Sequence, residues 1–216
     1  MKIFLSAILF IVTITGISTQ CTAEQTILIE DFEHGLKPQW RSRTIHGKTQ
    51  YRIIKTENNH VLKAESTASA SALIYRYQYN LKEYPILTWR WKVTNVIKKG
   101  NVMTKGGGDC AARIYVIFPS WFLLLTRSIN YVWTNKLIKG KYFPSPFHSK
   151  SIIVAVESGS ENIGKWVTEQ RNVYEDFKKV FREEPPLVGG IAIMTDTDNT
   201  GESVTAYYDD IKIGKP

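Results

Sequence analysis

The sequence is poor in the residues that mark most recognisable catalytic chemistry. It has two cysteines and four histidines in 216 residues. His34, His46, His60 and His148 show no metal-ligand spacing of the H-E-x-x-H kind. No G-x-S-x-G elbow is present, and "GGGD" at Gly106–Asp109 lacks the Lys and Ser/Thr of a phosphate loop. Zinc-motif proteases, α/β-hydrolases and P-loop NTPases are thereby excluded. Long apolar runs are missing after the first two dozen residues, so no transmembrane helix is expected in the remainder. Helical periodicity is scarce too, and it shows clearly at one place only.

The N-terminus is the exception to the missing apolar runs. Lys2 is followed by "IFLSAILFIVTITGI", which has signal-peptide length and the wrong flanks for a membrane span. Cys21 and Ala23 occupy the small-residue positions of a cut before Glu24. Residues 1–23 are read as a signal peptide and 24–216 as a single exported domain, periplasmic or in the cell envelope. Acylation of Cys21 as a lipoprotein is the weaker reading, because Gln20 stands where a small residue is wanted. Cleavage leaves Cys110 alone, which excludes an intrachain disulfide and a cysteine metal cluster. Cys110, at the mouth of an apolar strand, reads as a buried, inert thiol. The net charge is +8, yet the basic residues are scattered rather than clustered among aromatics. No nucleic-acid partner is expected; tolerance of anionic surfaces is.

What the chain has in quantity is short β-branched and aromatic segments. "TILIEDF", "VLKAES", "ALIYRYQYN", "ILTWRWKVT", "AARIYVIF", "INYVWT", "SIIVAVES", "GGIAIMT" and "VTAYYDDIKI" read as strands. Without intervening helices they predict an all-β fold, an antiparallel β-sandwich or jelly roll. The one helix is expected at about 172–184, lying on the surface of the sandwich. There Val173, Phe177, Val180 and Phe181 share a face, Asn172 caps, and Pro185 and Pro186 stop the chain.

"IAIMTDTDNTG", Ile191 to Gly201, admits three readings. A dehalogenase-type phosphatase strand needs αβ alternation before and after it, which is absent. An EF-hand loop needs an acid at its twelfth position, where Tyr207 stands. The remaining reading is a strand-to-strand turn with Gly201 at positive φ, at a ligand-facing rim formed with Asp196 and Asp198. A structural calcium is assigned elsewhere, to Asp31 and Glu33 of the opening strand and Asp209 of the closing one, should those strands pair. No cofactor is otherwise required.

Alternation places Arg76, Arg90 and Arg113 each away from the core side of its strand. Were those strands neighbours, the three guanidinium groups would line one surface, with Tyr115, Asn130 and Trp133 completing a site for an acidic sugar or another carboxylate. The competing expectation is a structural ion network with Glu157, Glu169 or Asp196. The irregular segment from Pro119 to Lys150 is apolar enough to be buried or to present an interaction patch.

Several of these pieces taken in order, "TWRWKV", "GGDCAARIYVIF", "INYVWTNKL", "VAVESG", "GKWVTEQRNVYEDF" and "AIMTDTDNTGESVTAYYDDI", resemble the bacterial exported family catalogued as domain of unknown function 3047. The resemblance spans nearly the whole mature chain. It implies a single envelope domain and carries no catalytic residues. The "DFE" opening and "YYDDI" closing are also similar to those of carbohydrate-binding jelly rolls. Three functions follow as expectations. The first is a non-catalytic module binding a glycan or acidic envelope ligand. The second is a jelly-roll glycoside hydrolase or lyase with a carboxylate pair drawn from Asp109, Glu157, Glu169 and Asp196. The third is a protein-interaction domain using the Pro119–Lys150 loop.

Overall fold

The computed structural model describes residues 25–216. The expected signal segment, with Cys21 and the cut after Ala23, lies outside them. In chain order the strands are β1 (Thr26–Glu30), β2 (Trp40–His46), β3 (Gln50–Lys55), β4 (His60–Thr67), β5 (Ala70–Tyr79), β6 (Ile86–Val93) and β7 (Ala112–Phe118). They continue with β8 (Arg127–Thr134), β9 (Tyr142–Pro144), β10 (Ser151–Ser158), β11 (Val167–Asn172), β12 (Val188–Asp196) and β13 (Ser203–Gly214). The helix α1 (Val173–Phe181) lies between β11 and β12.

Two sheets face each other. One has the order β11-β6-β13-β4-β3, with β1 also paired to β13. The other has the order β2-β5-β12-β7-β8-β10-β9. Every pairing is antiparallel except that of β8 with β10. The all-β sandwich with one helix is thus the fold. Its core is aromatic because large rings from both inner faces meet. Trp89 packs on Tyr131 with centroids 5.5 Å apart, and Trp91 on Trp133 at 6.0 Å. Such pairs add about 0.5–1.5 kcal/mol beyond area burial.

The helix begins where expected. The Asn172 side chain accepts from the Glu175 N–H, closing the first turn. It ends earlier than the prolines imply, because Arg182 takes a left-handed conformation (φ 57°) and its N–H donates to the Lys178 carbonyl. Val173 and Phe177 are buried, and Phe177 meets Phe118 edge to face with centroids 4.6 Å apart.

Four strands go beyond the nine read from sequence: β2, β3, β9 and β11. All four lie at sheet edges; β2 and β9 are almost wholly exposed, and β3 and β11 alternate exposed with half-buried residues.

The "TDTDNTG" segment is a turn, and it crosses from one sheet to the other between β12 and β13. Gly201 sits at φ 70° and donates to the Thr197 carbonyl at 2.9 Å. Thr197 Oγ1 bonds Ser66 Oγ at 2.8 Å, clasping the crossing to β4.

Sheet membership separates the three arginines. Arg90, on β6, belongs to the first sheet, and Arg76 and Arg113 belong to the second. Outward side chains of the two layers point in opposite directions, so Arg90 shares no surface with the others. Arg76 pairs across to Gly190 and Arg113 to Met194. Four residues of β12 therefore separate them, about 14 Å along the strand.

Candidate functional site

The outer face of the second sheet is not open to solvent throughout. The chain before β7 folds over it, and Val102 and Cys110 pack on Val132, Leu137, Ile153 and Ala155 in a second small core. Beside this cover lies a cavity of about 490 Å³. Its floor is Met194, Arg113 and Tyr115, with Ser128 and Ser151 next to them. Its walls are Leu124 and Thr126 before β8, Phe147 and His148 after β9, Asp198 and Asn199 of the crossing turn, and Arg43 and Ile45 of β2. The size and mixed lining suit a small ligand or one residue of a larger one.

One buried ion pair shapes the site. Arg113 donates from Nε and Nη2 to the two carboxylate oxygens of Asp196, both at 2.7 Å, and also to the Gly108 carbonyl. The Cys110 N–H donates to Asp196 at 3.2 Å. Burial pushes Asp196 up to about 6, and the guanidinium opposes that shift. The Asp196 carboxyl therefore stays ionised at neutral pH. Asp109 accepts from the N–H groups of Asn199 (3.2 Å) and Thr200 (2.7 Å) and so anchors the turn. Burial, then the Asp109 carboxylate, pushes Asp198 up.

Gly108 has a steric role here. A Cβ on it would stand 2.4 Å from the Phe147 ring, so the missing side chain lets that ring lie against the backbone at the cavity wall. The His148 Nδ1 accepts from the Lys150 N–H at 3.1 Å, which leaves Nε2 as the ring donor.

Among the described residues, Asp109, Asp196 and Asp198 are the only acids or histidines grouped tightly enough, within 4.8 Å, to suggest a cation. The donor set does not fit one. Both oxygens of Asp196 face Arg113, and both of Asp109 hold the turn, whereas calcium needs six to eight free oxygens. At the calcium site expected from sequence, the carboxylates of Asp31, Glu33 and Asp209 also have protein partners. β1 and β13 do pair. Glu33, however, bonds the His60 ring at 3.0 Å, and Asp209 is taken by Arg90 and by Asn59 at 2.6 Å. Asp31 is left to bond the Glu33 N–H.

Of the eight ligand residues expected from sequence, Arg113, Tyr115, Asp196 and Asp198 line the cavity. Arg113 and Asp196 build it rather than face a ligand, because their polar atoms satisfy each other. Asn130 is the cross-strand neighbour of Tyr115; its side chain is buried, and Oδ1 has no partner among the described residues. Trp133 is corrected. It is fully buried against Trp91, and its Nε1 donates to the Gly159 carbonyl at 3.2 Å. Asn130 and Trp133 are three apart on one strand, so they face opposite ways. Arg76 and Arg90 lie outside the cavity. Sequence reasoning missed Arg43, Phe147 and His148, which come from an exposed edge strand and a loop.

No curated protein matches the chain. Among solved structures it is similar to the family 30 carbohydrate-binding module of the cellulosomal cellulase CEL9D-CEL44B of Clostridium thermocellum, at 11% identity, 81% of this chain, 90% of that one and a TM-score of 0.48. It is also similar to a carbohydrate-binding module, CBM28, described as specific for non-crystalline cellulose, at 13% identity, 89% and 96% coverage and a TM-score of 0.46. A third likeness is to the xyloglucanase domain of NopAA, a type three effector from Sinorhizobium fredii, at 9% identity, 89% and 98% coverage and a TM-score of 0.47. At these scores the likenesses carry nothing about ligand or activity. Residues 38–212 match a family throughout, and by that match the chain belongs to the family described as Protein of unknown function (DUF3047).

Proposed function

We propose that this chain is an exported, non-catalytic binding protein of the cell envelope, and that its cavity takes a residue of an acidic saccharide. The observation that carries this reading is the cavity's chemistry. Arg43 has no ion-pair partner among the described residues and offers a fork to a sugar carboxylate. Phe147 and Tyr115 offer ring faces. His148, Ser128, Ser145 and Ser151 offer donors and acceptors for hydroxyl groups. Export rests on the N-terminal apolar segment, and the mass of the protein recovered from cells checks it; an acylated Cys21 would replace the soluble form by a lipoprotein.

The binding test is calorimetric titration with oligouronides and with the corresponding neutral oligosaccharides. Saturable binding of the acidic series, weakened about tenfold or more by Arg43→Gln, is expected; a tenfold loss corresponds to about 1.4 kcal/mol. Equal affinity for neutral sugars, or no binding of either, sinks the reading.

A second reading, hydrolysis by a carboxylate pair, has one observation in its favour. Burial, then the nearby Glu157, pushes Glu169 up to about 7, the arrangement that separates an acid from a base. Both residues lie away from the cavity, and Lys139 and Asn162 already hold Glu157. Release of reducing ends from an oligosaccharide, lost in Glu169→Gln, would establish it.

A further inference from the structure

Exposed apolar side chains line the cavity at Ile45, Leu124 and Phe147 and continue along the loop that carries Leu124. Trp121 is 93% exposed and Leu124 64%. Phe147, at 56%, and Ile45, at 57%, stand on other sides of the same opening. Phe122 and Leu125 add to the collar. The loop that carries most of this surface is held in place. The Leu125 N–H donates to the Phe122 carbonyl at 2.9 Å, and the Ser120 N–H donates to Thr126 Oγ1 at 3.4 Å. Pro119, at its base, lies where a Cβ on Gly189 would be, 2.5 Å from that position. The apolar tip is thereby fixed outward, at a cost that solvent exposure alone does not repay.

Bases outnumber acids around this collar, although Asp196 and Asp198 also line the cavity. Residues 110–156, which include β7 to β9 and the loop, contain six Lys and Arg and no Asp or Glu; Arg113, Arg127 and Lys139 are ion-paired, which leaves Lys136, Lys141 and Lys150 without an acid partner among the described residues. β2 adds Arg41 and Arg43 without an acid. An aromatic and leucine tip in a basic surround matches a lipid headgroup layer, where Trp prefers the interface and basic residues meet anionic lipid.

We propose that the Trp121–Leu125 loop and the collar it shares with Ile45 and Phe147 dock on an anionic lipid bilayer, with the cavity mouth turned to the membrane surface. The collar shares Phe147 and Arg43 with the saccharide reading, whereas Trp121, Phe122 and Leu125 belong to the loop alone, so a readout from Trp121 tests the docking without a saccharide.

The purified chain is mixed with vesicles of phosphatidylglycerol and phosphatidylcholine whose acyl chains carry bromine, a quencher of indole fluorescence. A parallel series uses brominated phosphatidylcholine alone. The Trp121 contribution is the difference between wild type and Trp121→Phe, a substitution at an exposed ring whose melting curve should match wild type. That difference also isolates the loop from any binding by the N-terminal segment. Quenching of the Trp121 contribution by the anionic vesicles is expected. Leu124→Asp should weaken it about tenfold or more, and so should ~1 M salt, where the screening length falls to ~3 Å. Absence of Trp121-dependent quenching overturns the proposal, as does equal quenching by phosphatidylcholine alone. A Trp121 signal that instead changes with protein concentration and ignores vesicles assigns the loop to a protein contact, and also overturns it.

Discussion

Arg113 and Asp196, 83 residues apart, close a two-pronged ion pair beneath the cavity floor. Both side chains are buried, so each is the other's compensation for lost water. Arg113→Ala leaves the Asp196 carboxylate unpaired and frees the Gly108 carbonyl. A loss of about 3–5 kcal/mol in urea unfolding is expected. A variant that keeps wild-type stability and loses only ligand affinity would return Arg113 to the role of a ligand contact.

Gly108 and Phe147 test how the wall is built. In Gly108→Ala the new methyl meets the ring at 2.4 Å, and the ring, being exposed, swings away. Overall stability should change by about 1 kcal/mol or less, because the ring relaxes into solvent. Saccharide affinity should fall together with that of Phe147→Ala. Unchanged affinity in both variants would remove the ring from the site.

Glu169 predicts a pH dependence of stability. Its folded-state value of about 7 lies above the ordinary 4.5, chiefly through burial and then through Glu157. Between those values the folded chain keeps a proton that the unfolded chain has released, so stability falls as pH rises through the window. Glu169→Gln should flatten that fall. The check is the wild-type and variant denaturation midpoints at about pH 5 and pH 8; a gap between them that does not grow with pH refutes the shift.

Cys110 should be silent in the native state. Burial pushes its thiol up to about 12, and its side chain packs in the small outer core. Thiolate is the reactive form, so alkylation mapped to Cys110 is expected only after denaturant is added. Labelling at native rates would show that the cover over the outer face opens.

The layers were legible in the chain because alternation is a local property. In β6 the order Leu87, Trp89, Trp91, Val93 against Thr88, Arg90, Lys92 is reproduced residue by residue in the burial of the strand. The capped helix was legible for the same reason, since Asn172 and Glu175 act within one turn. Its end was not, because a left-handed Arg182 has little sequence signal. β2 and β9 escaped notice because a strand exposed on both faces has no pattern to read, and β3 and β11 because their inward faces carry few apolar residues. Trp133 shows a local rule overlooked, for the alternation that turned Asn130 outward also turned Trp133 to the core.

The sequence by itself determined a sandwich of short strands, one capped helix, a turn in the segment Thr195–Gly201 and membership of the family. These follow from side-chain periodicity, capping and motif order, all of which act over a few residues. Only the tertiary structure decided which outward residues share a surface. It put Arg90 on the opposite layer, matched Arg113 to Asp196, and brought Arg43, Phe147 and the Trp121 loop to one opening. Those relations depend on strand order and on loops folding back over a sheet, and strand order is set by the packing of the whole chain.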